Sequence, residues 1–277
     1  MRPRLTIITP SFNQASFIER TLRSVLDQGY ENLEYLVVDG GSTDGSVEVI
    51  RRYEDRLAWW VSEPDDGQTD ALNKALRRAT GDVVAYINSD DVYLPGAFDI
   101  AIGALEAQPD VRWVVGACRF EGFGKTVDVW SPELPGGQRY WWLLAPWGVP
   151  QPSSFWRRSV FDEFGPFRED LHYVFDTEHA LRLAMAGVLP TIVDDELALR
   201  VLHEEAKSGG NEARWASERR QLVELYKPQL SGHERRMLAV HRALVRLGFY
   251  RATKAVHPVT GAIRRGLRRT RTILAGQ

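Results

Sequence analysis

The sequence predicts an α/β fold in which an open, mostly parallel sheet is flanked by helices and followed by a basic helical appendage. Short apolar runs alternate with helical patterns in units of roughly 30 residues, which is the arrangement of βαβ units. Acidic and small polar residues follow the ends of these runs, where open α/β sheets bind ligands. Residues 235–277 add a positively charged segment with interspersed apolar residues.

Two buried strands are predicted in the N-terminal part of the chain, at residues 5–9 and 33–38. Between them, apolar residues recur at helical spacing until Gly29, and a shorter helical pattern follows the second strand. The first strand leads into Pro-Ser-Phe-Asn and not into Gly-x-Gly-x-x-Gly, so the dinucleotide-binding fingerprint is absent. The second strand ends in Asp39, followed by glycines that let a ligand approach the backbone.

A third strand runs directly into a pair of carboxylates. Residues 83–87 are apolar, which predicts a strand covered on both faces, and Asn88-Ser89-Asp90-Asp91 follow. Adjacent carboxylates repel each other unless a cation lies between them and an anion, and Mg²⁺ or Mn²⁺ can bridge carboxylates to substrate phosphates in this way. We therefore expect a divalent cation here; the alternative is a polar turn that only caps the strand.

A helix is predicted over residues 71–79, where alanine and leucine recur at helical spacing before Gly81. Thr69 and Asp70 are expected to cap its first turn. This places Asp66, Gln68 and Lys74 near one end of the helix, where Asp66 and Gln68 would face a ligand bound at the ends of the strands. An ordinary amphipathic helix with a solvated cap is the alternative.

A second acidic helix is predicted over residues 173–183, ending at Gly187. Asp176 lies in its first turn, a position that suits either a general base or a helix N-cap. Glu178 lies two residues on and cannot face the same way on a regular helix. Upstream, residues 140–147 are dense in aromatic side chains, including Trp147, which predicts core or interface packing or, alternatively, a wall that stacks on a sugar.

Four segments resemble the motifs of the family 2 glycosyltransferases with the GT-A fold. They are Thr9-Pro10-Ser11-Phe12-Asn13, residues 37–45, residues 62–74 and Asn88-Ser89-Asp90-Asp91, in the family's order across residues 4–95. A weaker resemblance continues to about residue 210. It implies a GT-A domain at residues 1–210, with a nucleotide-sugar half at about 1–95 and an acceptor half at about 96–210, and a helical basic extension at 211–277.

The resemblance also implies roles for particular residues. Asp176 would be the catalytic base, and Asp90, Asp91 and His203 would be the metal ligands for Mg²⁺ or Mn²⁺. Donor-nucleotide binding would fall to Thr9, Pro10, Ser11, Asp39, Asp66, Gln68, Lys74, Asn88, Ser89 and Asp90. The acceptor side would include Trp147, Gln151 and Glu178. Asn88 replaces the first acid of the family's frequent Asp-x-Asp, which leaves the metal's charge to Asp90 and Asp91.

Composition and charge limit the cellular setting. Cys118 is the only cysteine, which excludes an internal disulfide and fits a reducing compartment. No apolar run is long enough to span a bilayer, and the chain starts directly with a strand, so we expect neither a membrane span nor a signal peptide. We therefore expect a cytoplasmic protein.

The C-terminal segment is the most basic part of the chain. Residues 235–277 contain eleven Lys and Arg and no Asp or Glu. The whole chain has a net charge of −2, so the first 234 residues have a net charge of −13. Basic amphipathic helices are typical of elements that lie on anionic membranes. Peripheral binding at the inner face of the membrane is therefore one interpretation, and docking on the acidic domain is the other. No nucleic-acid-binding module is present.

The predicted function is an inverting, metal-assisted glycosyltransferase of polysaccharide biosynthesis. It would move a sugar from a nucleoside-diphosphate donor to a hydroxyl of a glycan or lipid-linked acceptor. A catalytically inert nucleotide-sugar-binding or scaffold protein of a membrane glycan-assembly complex is the first alternative. A sugar nucleotidyltransferase is less favoured, because residues 10–14 form no Gly-rich basic loop.

Overall fold

The computed structural model of the protein describes residues 2–122, 125–132, 149–203 and 212–246. Nine strands within these residues form one sheet with helices on both faces. The strands are β1 Leu5–Ser11, β2 Leu33–Asp39, β3 Trp59–Ser62, β4 Val83–Tyr86, β5 Val92–Tyr93, β6 Trp113–Gly122, β7 Lys125–Trp130, β8 Ser154–Arg157 and β9 Thr191–Leu202. The helices are α1 Ile18–Leu26, α2 Ser46–Arg51, α3 Gln68–Leu76, α4 Ala97–Ala107, α5 Ser159–Phe164, α6 Phe175–Met185, α7 Glu212–Tyr226 and α8 Gly232–Arg246.

The sheet is parallel in its N-terminal half and mixed beyond it. Its order is β3-β2-β1-β4-β8-β6-β9-β5, with β7 paired to β6. The pairs within β3-β2-β1-β4 and the pair β6–β9 are parallel, whereas β8 runs antiparallel to both of its neighbours, as do β5 to β9 and β7 to β6. The predicted α/β fold with an open sheet and flanking helices is confirmed.

Strand register brings the polar strand ends together. Ser11 at the end of β1 pairs with Asp39 at the end of β2, and Asp39 pairs with Ser62 at the end of β3. Because these strands are parallel, their carboxyl ends lie at one edge of the sheet. Residues 88–91, which follow β4, extend the same edge, since β4 pairs in parallel with β1.

The hydrophobic core has two layers, one on each face of the sheet. One layer packs α1 and α4 against the sheet, through buried residues such as Leu22 and Phe98. The other contains α3, α6 and both C-terminal helices, including Leu222, Tyr226 and Leu238. The core therefore continues across the predicted boundary at residue 210, and residues 212–246 pack as part of the same body.

Two capping predictions are wrong. Helix α3 begins after Gly67, whose φ is +109°, and α6 begins after Val174, with no capping hydrogen bond from a side chain in either case. Thr69 and Asp70 therefore lie inside α3, and Asp176 lies inside α6. Of the residues described, none forms a helix long and apolar enough to cross a membrane. Residues 247–277, most of the basic segment, lie outside the described residues.

Candidate active site

A cavity of about 570 Å³ opens at the carboxyl ends of the parallel strands. Nine of the predicted site residues line it, namely Pro10, Ser11, Gln68, Asn88, Ser89, Asp90, Asp91, Gln151 and Asp176. Donor-side and acceptor-side candidates that are far apart in the sequence therefore share one cavity. Thr9, Asp39, Asp66, Lys74, Glu178 and His203 are not among its lining residues, and Trp147 falls outside the described ranges.

The turn after β4 is held by helix α1. The Asp91 N–H donates to the Asn88 carbonyl at 3.0 Å, which closes the turn. The Thr21 hydroxyl on α1 lies 2.8 Å from the Ser89 carbonyl oxygen and 2.7 Å from that of Asp91. These buried contacts fix the backbone that carries the two acidic side chains.

Asp91 is a buried acid with a strongly perturbed pKa. It is 2% exposed, and its carboxylate accepts hydrogen bonds from the Val201 N–H at 3.2 Å and from Asn88 Nδ2 at 3.3 Å. Burial raises the pKa of Asp91, and the adjacent Asp90 carboxylate raises it further, whereas the Arg200 guanidinium acts in the opposite direction. Negative charge is therefore costly here unless a cation compensates it.

Asn88 connects helix α3 to this acid. Its Oδ1 accepts a hydrogen bond from Gln68 Nε2 on α3 at 2.6 Å, while its Nδ2 donates to Asp91. An amide can accept and donate at once, whereas an ionised carboxylate can only accept. The departure from the family's Asp-x-Asp thus has a structural role as a bridge between two motifs.

His203 lies against Asp90. Its Nε2 is 3.0 Å from Asp90 Oδ2, and its ring stacks on Phe17 with the ring centres 4.2 Å apart. Within the described ranges, no group of three His, Cys, Asp or Glu side chains is placed to hold an ion. The carboxylate beside an imidazole nevertheless fits Mg²⁺ or Mn²⁺, which usually take one or two carboxylates and complete their coordination with substrate phosphates and water.

Asp39 and Thr9 lie beneath the cavity floor. Asp39 is fully buried, and its carboxylate accepts hydrogen bonds from the Gly41 N–H, from the N–H and hydroxyl of Ser42 and from the Ser62 hydroxyl, at 3.1, 2.8, 2.5 and 2.7 Å. The Thr9 hydroxyl is paired with the Tyr35 hydroxyl at 2.9 Å. Asp39 therefore shapes the loop after β2, whose Gly40 lines the cavity.

Asp65, and not Asp66, lines the cavity from the loop before α3. The Gly67 N–H donates to Asp65 Oδ1 at 2.8 Å, and a Cβ atom at Gly40 would lie only 2.7 Å from Asp65 Oδ2. Asp66 instead bonds through its N–H to Asp70 at 3.3 Å. Lys74 pairs with Glu63 at 2.7 Å, a contact that raises its pKa.

The first turn of α6 presents Asp176 to the cavity and turns Glu178 away. Glu178 is 1% exposed and accepts a hydrogen bond from the Tyr226 hydroxyl at 2.5 Å, with Arg182 3.1 Å away. The prediction that the two acids face differently is thus met by the geometry, and Glu178 does not reach the cavity. Gln151 does reach it, and its Nε2 donates to the Tyr86 carbonyl at 2.7 Å.

Several lining residues were not found by sequence reasoning. They are Phe12, Asp65, Tyr86, Trp130, Val149, His172, Tyr173, Phe175, Arg200 and Trp215, among others. Most belong to loops or to helix α7, whose approach to the cavity has no local sequence pattern. Arg200 on β9 could have been found, because it lies three residues before His203 in a predicted strand.

Residues 6–165 match the sequence profile of the family described as Glycosyl transferase family 2. The chain belongs to this family. This glycosyltransferase is similar to an uncharacterized glycosyltransferase of Mycobacterium tuberculosis, with 33% identity over 187 residues. The aligned region covers 66% of this chain and 70% of the relative. It is 42% identical over 93 residues to TuaG of Bacillus subtilis, named as a teichuronic acid biosynthesis glycosyltransferase, covering 32% of this chain and 37% of TuaG.

Solved glycosyltransferases share the fold. The Staphylococcus aureus TarS fragment 1–349 in complex with UDP-GlcNAc superposes with a TM-score of 0.64 at 16% identity, over 85% of this chain and 70% of the fragment. The mannosyltransferase PcManGT from Pyrobaculum calidifontis, in complex with GDP-Man and Mn²⁺, gives 0.57 at 22% identity, over 96% and 88%. The glycosyltransferase therefore has the GT-A fold of these nucleotide-sugar-binding enzymes.

Proposed function

We propose that this glycosyltransferase transfers a sugar, with inversion, from a nucleoside-diphosphate donor to a hydroxyl of a glycan or lipid-linked acceptor. The observation that carries the proposal is the shared cavity, which Asp90 and Asp91 line from the donor side and Asp176 lines from another element. Inverting transfer needs a carboxylate base at the acceptor and an environment that stabilises a leaving diphosphate. One cavity contains candidates for both tasks.

The donor nucleotide would lie over the ends of β1 and β2. Pro10, Ser11 and Gly40 line this part of the cavity, and the carboxylate of Asp39 holds the loop that carries Gly40. Gln68 and Asn88, joined by their 2.6 Å hydrogen bond, would lie beside the sugar and diphosphate. Asp65, and not Asp66, would contribute to donor binding, because the Asp65 side chain lies at the cavity wall.

Asp90, with His203 beside it and Asp91 behind it, would hold a divalent cation. The cation would supply positive charge next to the donor's diphosphate and so stabilise it as a leaving group. Mn²⁺ in the fold relative PcManGT supports this choice. The protein's own part is to keep two acidic side chains fixed on a backbone turn that Thr21 holds.

Asp176 would act as the general base. Its carboxylate would accept the proton of the acceptor hydroxyl as that oxygen bonds to the anomeric carbon of the donor sugar. The bond between the anomeric carbon and the diphosphate oxygen breaks on the opposite face, and its electron pair leaves with the nucleoside diphosphate. Attack from the face opposite the leaving group inverts the anomeric configuration.

The acceptor would enter along an aromatic wall. Trp130, Tyr173 and Trp215 line the same cavity as Asp176, and such side chains suit sugar rings because they combine a large apolar face with a polar edge. The sequence similarity to TuaG supports an acceptor belonging to a cell-surface polysaccharide. A lipid-linked acceptor would also give a role to the basic segment at residues 235–277 if that segment binds an anionic membrane at the cytoplasmic face.

The test is turnover of a panel of nucleotide sugars that includes UDP-GlcNAc and GDP-Man, with and without Mn²⁺. Slow donor hydrolysis, in which water replaces the acceptor, should identify the donor, and NMR of the released sugar should show the inverted anomer first. A protein that binds a donor but never hydrolyses or transfers it would instead be the inert binding protein. Release of the retained anomer would contradict the inverting mechanism.

A further inference from the structure

We infer that helix α7, which lies beyond the predicted catalytic domain, positions the catalytic base, and that Glu218 and Tyr226 are the residues through which it does so. The inference rests on the proposed role of Asp176. It assigns no chemical step to α7. Helix α7 holds the chain on both sides of Asp176, through backbone N–H groups before it and through the side chain of Glu178 after it.

Glu218 holds the residues that precede the base. It is 6% exposed, and its carboxylate accepts the Tyr173 N–H at 2.7 Å and the His172 N–H at 3.1 Å. Hydrogen bonds from backbone N–H groups to a buried carboxylate are among the stronger ones in proteins. They fix a loop that both lines the cavity and leads directly into α6.

Tyr226 holds Glu178, which lies two residues after the base. Its hydroxyl donates to Glu178 in the first turn of α6 at 2.5 Å, and both side chains are buried. Glu178 also lies 3.1 Å from Arg182 in the next turn. Contacts from α7 therefore bracket Asp176, with positions 172 and 173 held on one side and position 178 on the other.

The same loop is held from the donor side by α3. Asn73 exchanges hydrogen bonds with the backbone of Phe167 at 2.8 and 3.1 Å, and the Thr69 hydroxyl donates to the Leu171 carbonyl at 3.1 Å. The last residues before α6 are thus gripped between two helices. The hydrogen bonds from α3 extend as far as Leu171, five residues before the base. The contacts from α7 hold residues that lie closer to the base.

Glu218 differs from an ordinary surface acid because its carboxylate is buried. Carboxylates are rarely buried unless their oxygens are paired, and Glu218 meets that condition through the loop's N–H groups and through Arg214, whose Nε is 3.3 Å away. Glu224, on the same helix, is 66% exposed and pairs only with Lys227 at 3.7 Å among the contacts described. It is therefore a matched control.

The first measurement is hydrogen exchange of the peptide that spans residues 168–176. Glu218→Ala should raise exchange at the amides of His172 and Tyr173 by at least about tenfold, because their acceptor is removed. Glu224→Gln should leave that peptide unchanged. Unchanged exchange in Glu218→Ala would overturn the inference whatever the enzyme's activity.

The second measurement is donor hydrolysis, with UDP-GlcNAc and GDP-Man as probes. Glu218→Ala and Tyr226→Phe should lower kcat by roughly tenfold while the donor KM stays within about twofold, since the donor side is untouched. Glu218→Gln, which keeps one acceptor oxygen for Tyr173, should retain more activity than Glu218→Ala and serves if the alanine variant does not fold. Wild-type kcat in Glu218→Gln and Tyr226→Phe, or a parallel loss of donor affinity and turnover, would overturn the inference.

A double-mutant cycle separates this inference from the proposal beneath it. If Glu218 acts through Asp176, adding Glu218→Ala to Asp176→Asn should cost little more than Asp176→Asn alone. Full additivity of the two losses would overturn the positioning role. Undiminished turnover in Asp176→Asn would instead show that the proposed base is wrong. The hydrogen-exchange measurement would still show whether α7 holds the residues that precede position 176.

Discussion

Asn73 and Phe167 form two hydrogen bonds between helix α3 and the loop that joins α5 to α6. The Asn73 Nδ2 donates to the Phe167 carbonyl at 2.8 Å, and its Oδ1 accepts the Phe167 N–H at 3.1 Å. Asn73 is on α3 and is 1% exposed, whereas Phe167 begins the loop that leads to Asp176. One side chain therefore ties helix α3 to the loop that precedes α6.

Asn73→Asp should destabilise the enzyme. The carboxylate cannot donate to the Phe167 carbonyl, and it would lie beside Glu169, whose Oε1 now accepts from Asn73 Nδ2 at 2.9 Å. Losing a buried donor costs about 2 kcal/mol, so Tm should fall by roughly 4–8 °C. Asn32→Asp, at a half-buried position whose amide donates to the Arg2 carbonyl, is the control, and equal melting curves for the two variants would contradict the prediction.

Asp176→Asn should lower turnover by about 10²–10⁴-fold, the usual contribution of a general base. The amide keeps the size of the side chain but cannot accept the acceptor's proton. Donor KM should stay nearly unchanged, as measured by steady-state hydrolysis. Asp162→Asn, at an exposed site on α5, should behave as wild type. Turnover above about a tenth of wild type in Asp176→Asn would move the base elsewhere.

Removal of divalent cations should abolish turnover. If a cation at Asp90 and Asp91 neutralises the diphosphate, excess EDTA should remove donor binding and hydrolysis together, and added Mn²⁺ should restore both. His203→Gln should raise the Mn²⁺ concentration needed for half-maximal activity, while Asp91→Ala should remove activity at any concentration. Full activity in EDTA would mean that basic side chains neutralise the diphosphate, and Arg200 at the cavity wall would be the first candidate.

His179 should make the enzyme less stable in acid. Burial, with a smaller effect of the Arg182 charge, lowers the pKa of His179 to about 3, and its ring packs between Phe161 and Trp156. The unfolded chain takes up a proton on this imidazole below about pH 6.5, whereas the folded chain stays neutral. The stability it contributes is therefore fully present above pH 6.5 and is lost as the pH falls towards 3.

His179→Phe should weaken this loss between pH 7 and pH 4.5, as measured by chemical unfolding at each pH. The ring nitrogens of His179 have no hydrogen-bond partner among the described residues, so phenylalanine leaves no polar group unpaired. His233→Gln, at an exposed position on α8, should leave the pH dependence as it is. An unchanged slope in His179→Phe would show that other groups cause the acid loss.

Removal of residues 247–277 should abolish binding to anionic vesicles while sparing Tm and donor hydrolysis. The cut is placed there because Leu238 of α8 is buried in the core, so an earlier cut would damage the fold. Cations near anionic lipid contribute about 1 kcal/mol each, and the attraction should weaken as salt rises. Co-sedimentation at two salt concentrations measures it. Full-length enzyme that stays in the supernatant at low salt would contradict membrane binding, and a lower Tm on truncation would indicate docking on the domain.

The N-terminal half of the fold could be predicted because its signals are local. Apolar runs, helical spacing and glycines located β1, β2, β4, α1 and α3, and parallel pairing then brought Ser11, Asp39 and residues 88–91 to one edge. The choice between Asp65 and Asp66 could not be made from spacing. It depends on the turn at Gly67, where φ is +109° and the N–H binds the Asp65 carboxylate.

The acceptor side could be predicted only in part. Asp176 and the opposite orientation of Glu178 followed from helical geometry, but the partners of Glu178 did not. Glu218 meets His172 across 46 positions of sequence, and no periodicity relates a C-terminal helix to such a loop. The predicted boundary at residue 210 separated α7 from the site because the resemblance to the family ends there, whereas the packing of α7 against the core leaves no local pattern in the sequence.

The contacts of α7 also form late in synthesis, because α7 lies near the C-terminal end of the described residues. The parallel strands β1 to β4 have all been made once residue 86 has been added to the chain. Glu218 and Tyr226 leave the ribosome much later. The residues around Asp176 therefore gain their contacts with α7 only after these strands have been synthesised, and a prematurely terminated chain that lacks α7 would carry Asp176 without them.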